Sequence, residues 1–227
     1  MSEASERAGA FFGRRKGKKL RAGQDELVHT LLPAIRVVPG SDLPGQFANP
    51  AARETWLEIG FGGGEHLAAQ ARTRRDVNFI GCEPFVNGMA KLLAVIDQEK
   101  LGNIRIWDED VTDLLPTLPD ACLDRVYILY PDPWPKRRQR KRRLVSDETL
   151  GELARVMRPG AELRFASDID DYVGWVLARI LRSADFRWTA ERPDDWRRPY
   201  EGWPGTRYEA KAIREGRVPS YLRIVRR

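Results

Sequence analysis

Five short apolar runs alternate along the chain with longer stretches in which apolar residues recur every three or four positions. The short runs are Thr55–Ile59, Asn78–Cys82, Ile104–Trp107, Val126–Tyr130 and Leu163–Ala166. They are rich in β-branched and aromatic side chains, as strands covered on both faces require. Between them, Glu65–Arg72, Val86–Lys100, Asp147–Met157 (closed by Pro159-Gly160) and Ile169–Arg182 carry the helical period, with Met89, Leu92, Leu93 and Ile96 on one face of the second. Strand and helix in strict alternation demand right-handed crossovers, so the pattern predicts an α/β fold built on a mostly parallel, doubly wound sheet. Phe186–Ala190 and Tyr221–Val225 add an antiparallel pair, for about seven strands. Such a sheet binds its ligands beyond the carboxyl ends of its strands.

Ahead of this region the pattern changes. Met1–Ala10 is small and polar and predicts disorder, and Phe11–Arg21 is a basic arm broken by Gly13 and Gly17. Gln24–Leu32 predicts a short helix stopped by Pro33, and prolines and glycines from Pro39 to Pro50 predict a loop. The chain thus divides into a flexible basic arm, residues 1–24, and one domain, residues 25–227, large enough to bury a full core. Lys and Arg number 39 against 33 Asp and Glu, a formal charge of +6 that is concentrated in two places. One cluster runs from Arg14 to Arg21; the other runs from Lys136 to Arg143, where only Gln139 is uncharged. Clusters of this kind attract polyanions by releasing condensed counterions. Cys82 and Cys122 give neither a disulfide framework nor a zinc spacing, no apolar run approaches a membrane span, and Met1 to Ala4 lacks a signal-peptide core. These features predict a cytoplasmic protein without metal or membrane partner, monomeric by default.

Three strand ends and one turn carry the candidate chemistry. The first strand runs into Gly60-Phe61-Gly62-Gly63-Gly64, a turn that lets backbone approach a ligand closely. Glu58 precedes this turn and Glu65 follows it, so a dinucleotide's pyrophosphate would meet two carboxylates, whereas a ligand bearing an ammonium and a sulfonium would be attracted. Glu83 follows Gly62 by 83 − 62 = 21 residues, the spacing at which an acid takes ribose hydroxyls. Asp110, past the third strand, is placed to accept from an exocyclic adenine amine. The fourth strand stops at Pro131-Asp132-Pro133-Trp134-Pro135, where alternating prolines leave the backbone short of donors and present Asp132 and Trp134 beside the basic run. Each acid also has a plainer reading: Glu65 complements a helix dipole, and Asp108-Glu109-Asp110 forms a solvated turn. Four acids at one sheet edge favour an S-adenosylmethionine site over a dinucleotide site.

The blocks GRRKGKKLR, LEIGFGGGEHL, IGCEPF, YPDPWPKRRQRKRR, FASDID and TRYEAK, in this order, resemble those of the bacterial tRNA (guanine-N7)-methyltransferases, the TrmB family, from about Gly13 onward. The resemblance implies a class I Rossmann-like methyltransferase that uses S-adenosylmethionine to methylate N7 of the guanine at position 46 in the tRNA variable loop. It implies cofactor-binding roles for Glu58, Glu83, Asp110 and Asp132, together with the loop glycines Gly60, Gly62 and Gly64, and a catalytic role for Asp132. It implies substrate-binding roles for Lys136, Asp168, Thr206, Arg207, Tyr208 and Glu209. RNA contacts follow for Arg138, Gln139, Arg140, Lys141, Arg142 and Arg143, with Gln139 standing where histidine is expected. Thr206-Arg207-Tyr208-Glu209 also reads as a capping box, and Asp168 as the cap of the helix that follows it. Guanine N7 carries a lone pair and no proton, so this chemistry asks for orientation and electrostatics rather than a general base. An amino-group methylase, with its related Asp-Pro-Pro-aromatic turn, is the nearest enzymatic rival; an RNA-binding module without activity is another, opposed by the full set of acids.

Overall fold

The computed structural model describes residues 13–40 and 42–227, so the disorder expected for Met1–Ala10 lies outside the described residues. The elements, in chain order, are α1 (Ala22–Ile35), β1 (Glu54–Ile59), α2 (Glu65–Thr73), β2 (Val77–Cys82), α3 (Val86–Glu99), β3 (Ile104–Trp107), α4 (Val111–Leu114), β4 (Leu123–Leu129), α5 (Asp147–Val156), β5 (Met157–Ser167), α6 (Asp170–Ile180), β6 (Phe186–Trp188), α7 (Asp194–Arg197), α8 (Arg207–Arg214) and β7 (Ser220–Arg226). The seven strands form one sheet in the order β3-β2-β1-β4-β5-β7-β6. Pairing is parallel from β3 to β5 and antiparallel where β7 joins β5 and β6, as the sequence pattern predicts.

The alternation of side chains along each central strand splits the core in two. Leu57 and Ile59 of β1, Val126 and Ile128 of β4, and Leu163 and Phe165 of β5 pack toward α4, α5 and α6. Trp56, Phe79 and Tyr127 point the other way, toward α1, α2 and α3. Both faces are apolar because both are covered, which is why these strands read as continuous hydrophobic runs.

Three boundaries differ from the sequence expectation. Pro33 does not stop α1, which continues to Ile35. It sits in the last turn, and the carbonyl it cannot serve belongs to exposed His29, where water can take its place. Pro159-Gly160 does not close α5, which ends at Val156 with Met157 as its cap: the pair lies inside β5, which begins at Met157, and the pairing with β4 jumps from Leu123↔Met157 to Arg125↔Glu162. The extra residues bulge outward, with Gly160 at φ +84°. The arm boundary also falls inside a helix, since α1 starts at Ala22. Residues 13–21 lie against the start of α3: Val86 N donates to Arg15 O (3.0 Å), Gly17 N donates to Asn87 Oδ1, and Asn87 Nδ2 donates to Lys18 O, the last two at 2.6 Å.

Candidate active site

After β1 the chain fills one side of the sheet through β2 and β3, then crosses to β4 on the other side of β1. Ile59 is in register with Ile128, so the glycine turn and the proline turn leave the sheet side by side. This is the crevice a doubly wound sheet opens at its switch point. A cavity of about 980 Å³ lies there, lined by Gly60, Gly62, Glu83, Asp110, Asp132 and Tyr208 among others.

Gly60, Gly62 and Gly64 all take positive φ (+74°, +58° and +79°), a region side-chain-bearing residues rarely adopt. A Cβ on Gly64 would come within 2.7 Å of Leu92, so this glycine brings the turn onto α3, whereas one on Gly60 would meet nothing within 4 Å. The carboxylate of Glu83 holds the turn from below. Its Oε2 accepts from Gly62 N at 2.7 Å and its Oε1 from Phe85 N at 2.9 Å. Burial pushes the Glu83 carboxyl above its ordinary range, against the two amides and Arg207, which favour the charged form; nearby Asp132 adds to the rise. Each carboxylate oxygen keeps a further lone pair for a ligand hydroxyl.

Asp110 caps α4, its Oδ1 accepting from Thr112 N and Oγ1, both at 2.9 Å. Its neighbours Asp108 and Glu109 are ion-paired with Arg36 at 2.6 Å each, which leaves Asp110 as the acid of this triplet that lines the cavity. Asp132 is exposed at the mouth. Tyr130 and Trp134, on either side of it, have φ of +52° and +40°, so the turn is bracketed by two residues in the left-handed region. Strain of this kind, of order 1–3 kcal/mol per residue, persists where the surroundings over-determine the backbone. Trp134 is half-buried in the lining, with the Arg142 guanidinium 5.0 Å from its ring centre.

Residues 52–220 match the methyltransferase family model Methyltransf_4. The chain is 53% identical over 220 residues to the tRNA (guanine-N(7)-)-methyltransferase of Bradyrhizobium diazoefficiens, covering 96% of this chain and 93% of the relative. The protein of that name from Agrobacterium fabrum is 53% identical over 223 residues, covering 96% and 95%. The chain belongs to the tRNA (guanine-N7)-methyltransferase family. Among solved structures, the 16S rRNA methyltransferase KamB superposes with a TM-score of 0.57 at 17% identity, covering 78% of this chain and 88% of that one. A 16S rRNA (adenine(1408)-N(1))-methyltransferase W203A mutant from Catenulisporales acidiphilia, with cosubstrate SAM, superposes at 0.53 and 19% identity, covering 85% and 96%. These likenesses show a shared Rossmann-like methyltransferase fold.

The residues that family resemblance singles out do not all meet in the cavity. The Glu58 carboxylate points toward α2, where its Oε2 pairs with His66 Nδ1 at 2.6 Å; both side chains are almost wholly buried. His66 Nε2 in turn bonds Tyr200 Oη. Asp168 does not cap α6, whose N-cap is Ile169 with no side-chain bond; Asp168 is instead ion-paired with Arg217. The capping box at α8 forms as the sequence predicts. Glu209 is buried in it, its Oε2 accepting from Trp203 Nε1 at 2.7 Å and its Oε1 from Tyr221 Oη. Tyr208 and Arg207 are the members of that block that lie over the glycine turn, each 3.2 Å from where a Gly62 Cβ would stand.

Residues 137–142 form an exposed to half-exposed 3₁₀ turn led by exposed Lys136. Within the basic run, Arg138 and Lys141 are exposed and Gln139 half-buried, Arg140 pairs with Asp171 at 2.6 Å, and Arg143 is buried. Sequence reasoning did not anticipate the first turn of α5 in the lining, where Ser146 caps Thr149 N at 3.1 Å, nor Gly13 and Arg14 of the arm. The Ser146-Asp-Glu-Thr149 spacing was the available signal for the former. Among the described residues, no cluster of His, Cys, Asp or Glu is arranged to hold a metal ion, and no helix is long and apolar enough to cross a membrane.

Proposed function

We propose that this protein transfers a methyl group from S-adenosylmethionine to N7 of the guanine at position 46 in the tRNA variable loop. The observation that carries the reading is the meeting, in one cavity, of the open glycine turn, Glu83, Asp110 and Asp132, with Lys141 and Arg142 on the same wall. The family membership and a structural neighbour solved with SAM support the same donor.

The residues present suit that donor. When bound, S-adenosylmethionine supplies an electrophilic methyl group on a sulfonium. Gly60 leaves room for its close approach to backbone. Glu83, already ordering the turn, is placed to accept from ribose hydroxyls, and Asp110 to accept from the adenine amine. The carboxylates favour a cationic donor over a pyrophosphate.

Asp132 then serves the base. Its carboxylate accepts from guanine N1–H and the 2-amino group, aims N7 into the cavity and offsets the positive charge the alkylated ring acquires. Tyr208 and Arg207 lie over the glycine turn. Arg138, Gln139, Lys141 and Arg142 meet the RNA, with Lys136 beside the turn, while Thr206 and Glu209 act by fixing the start of α8. Selection of the base rests on RNA shape and phosphate positions.

The test is to incubate the protein with unmodified tRNA and labelled S-adenosylmethionine, then cleave at N7-methylguanine by reduction and aniline. Cleavage at position 46 is expected, and label at an exocyclic amine would refute the reading. Asp132→Asn should lower turnover at least a hundredfold with cofactor affinity nearly unchanged, because only the base loses its acceptor.

A further inference from the structure

The last residue of the basic run does not share the environment of the others. The Arg143 side chain is 0% exposed and the residue 3%, although it closes a segment of eight residues otherwise turned toward solvent or half-buried. Its guanidinium is used on every side. Nε donates to the carbonyl of Pro133 at 2.9 Å, inside the proline turn. Nη2 bonds Asp171 Oδ2, and Nη1 reaches Asp171 O at 3.4 Å. The plane lies 4.8 Å from the ring centre of Tyr172 and 5.0 Å from that of Trp175. These three partners all lie on the first turns of α6. The chain after Arg143 is stitched to the same helix: Val145 N donates to Tyr172 Oη at 3.3 Å, and Trp175 Nε1 donates to Val145 O at 2.7 Å.

We infer that Arg143 is not a phosphate ligand but the positioning residue of the methyl-transfer turn, acting with Asp171 as a clamp that fixes the Pro133 carbonyl, and so Asp132, against α6. The inference rests on the reading of Asp132 given above. The turn needs such a clamp. Pro131, Pro133 and Pro135 have no N–H with which to tie the backbone down, and Tyr130 and Trp134 hold left-handed conformations that must be enforced from outside. A planar guanidinium with five donors bonds a carbonyl and a carboxylate along fixed directions, a geometry that the rotating ammonium of a lysine does not impose. Asp171 holds Arg140 as well, at 2.6 Å through its other oxygen, so one carboxylate anchors both the middle and the end of the basic segment. A charge shielded in this way does not meet phosphate, whereas exposed Arg138 is free of that shield.

The experiment compares Arg143→Gln, Asp171→Asn and Arg138→Gln in the full chain. At saturating tRNA and cofactor, Arg143→Gln and Asp171→Asn each lower kcat ten- to a hundredfold, the scale of a small misplacement of a reacting group. Cofactor Kd stays within twofold in both. The slope of log Kd for tRNA against log salt is unchanged in Arg143→Gln and falls by about one in Arg138→Gln. A slope reduced by one in Arg143→Gln, or a kcat within twofold of wild type in Asp171→Asn, overturns the clamp. Asp171 is half-exposed and its amide isostere fits, so this second variant decides the question even where Arg143→Gln fails to fold. A wild-type protein that binds tRNA and leaves N7 unmethylated counts against the proposed activity alone. The clamp is then read by limited trypsinolysis, where Asp171→Asn opens the run 136–142 several-fold faster at unchanged Tm, and an unchanged cleavage rate overturns it.

Discussion

Glu58 and Glu83 stand at neighbouring strand ends, are both buried and carry the same functional group, yet their carboxylates hold different partners. Glu58 is the penultimate residue of β1, so its side chain still obeys the alternation of the strand and points with Trp56 toward α2 and α3. There it bonds His66 and, through it, Tyr200, 134 residues away from His66 in sequence. Glu83 comes one residue after β2 has ended, and its carboxylate turns under the glycine loop to hold Gly62 and Phe85. Position at a strand end therefore does not by itself decide which way a carboxylate faces. What decides is whether the pleat still controls the side chain there.

The largest effect should come from breaking the Glu58 pair. Glu58→Ala leaves a buried imidazole without its partner and should cost about 3–5 kcal/mol, a fall of about 10 °C in Tm measured by calorimetry, with cofactor Kd of the folded protein within a few-fold. If cofactor binding is instead lost while Tm holds, the two acids do the same work and the contrast is gone. Glu83→Gln should do the reverse, weakening cofactor binding about thirty- to a hundredfold by titration calorimetry while Tm falls less than in Glu58→Ala.

The pH dependence sharpens the contrast further. The Glu83 carboxyl is raised above its ordinary value by burial, so its contribution to stability is fully present below the unfolded-state value and is lost as pH rises through the raised one. Thermal melts of wild type across that window should lose stability that Glu83→Gln does not lose. Cofactor affinity should run the other way, tightening as the carboxylate ionises and can accept from ribose. The smallest effect is expected from Tyr200→Phe, which removes the hydroxyl on His66 for about 1 kcal/mol and a few degrees in Tm, with kcat unchanged.

These same residues show how far the sequence could be read. The central strands were legible because burial on both faces makes them apolar throughout, and the glycine and proline turns because their residue types fix backbone geometry. The spacing from Gly62 to Glu83, read in the sequence for ribose hydroxyls, is accompanied in the fold by a contact the sequence did not announce, Gly62 N donating to the Glu83 carboxylate. The pairing of Glu58 with His66 across the turn was not legible, because nothing local distinguishes an acid facing a ligand from one facing an imidazole. Arg143 was hidden by its company, since a run of like charges reads as solvated. The only hint of its burial was the acid and two aromatics, Asp171, Tyr172 and Trp175, at the start of a helix far along the chain. Asp168 was read as a cap, but its carboxylate is drawn away by Arg217, a pairing that depends on how the segment after α8 returns to the sheet.

That return has a consequence for how the protein comes into being on the ribosome. β6 is made before β7 but pairs only with it, and β7 inserts between β5 and β6. The strand that seals this flank also bonds the start of α8, Tyr221 Oη donating to the carboxylate of Glu209, the residue after Tyr208. During synthesis the parallel half can assemble as it emerges, while β6 has no neighbour until β7 arrives, and Tyr208, which also lines the cavity, is made late. Most of the cavity is therefore encoded ahead of β5, and only Tyr208 joins it from the segment that closes the sheet.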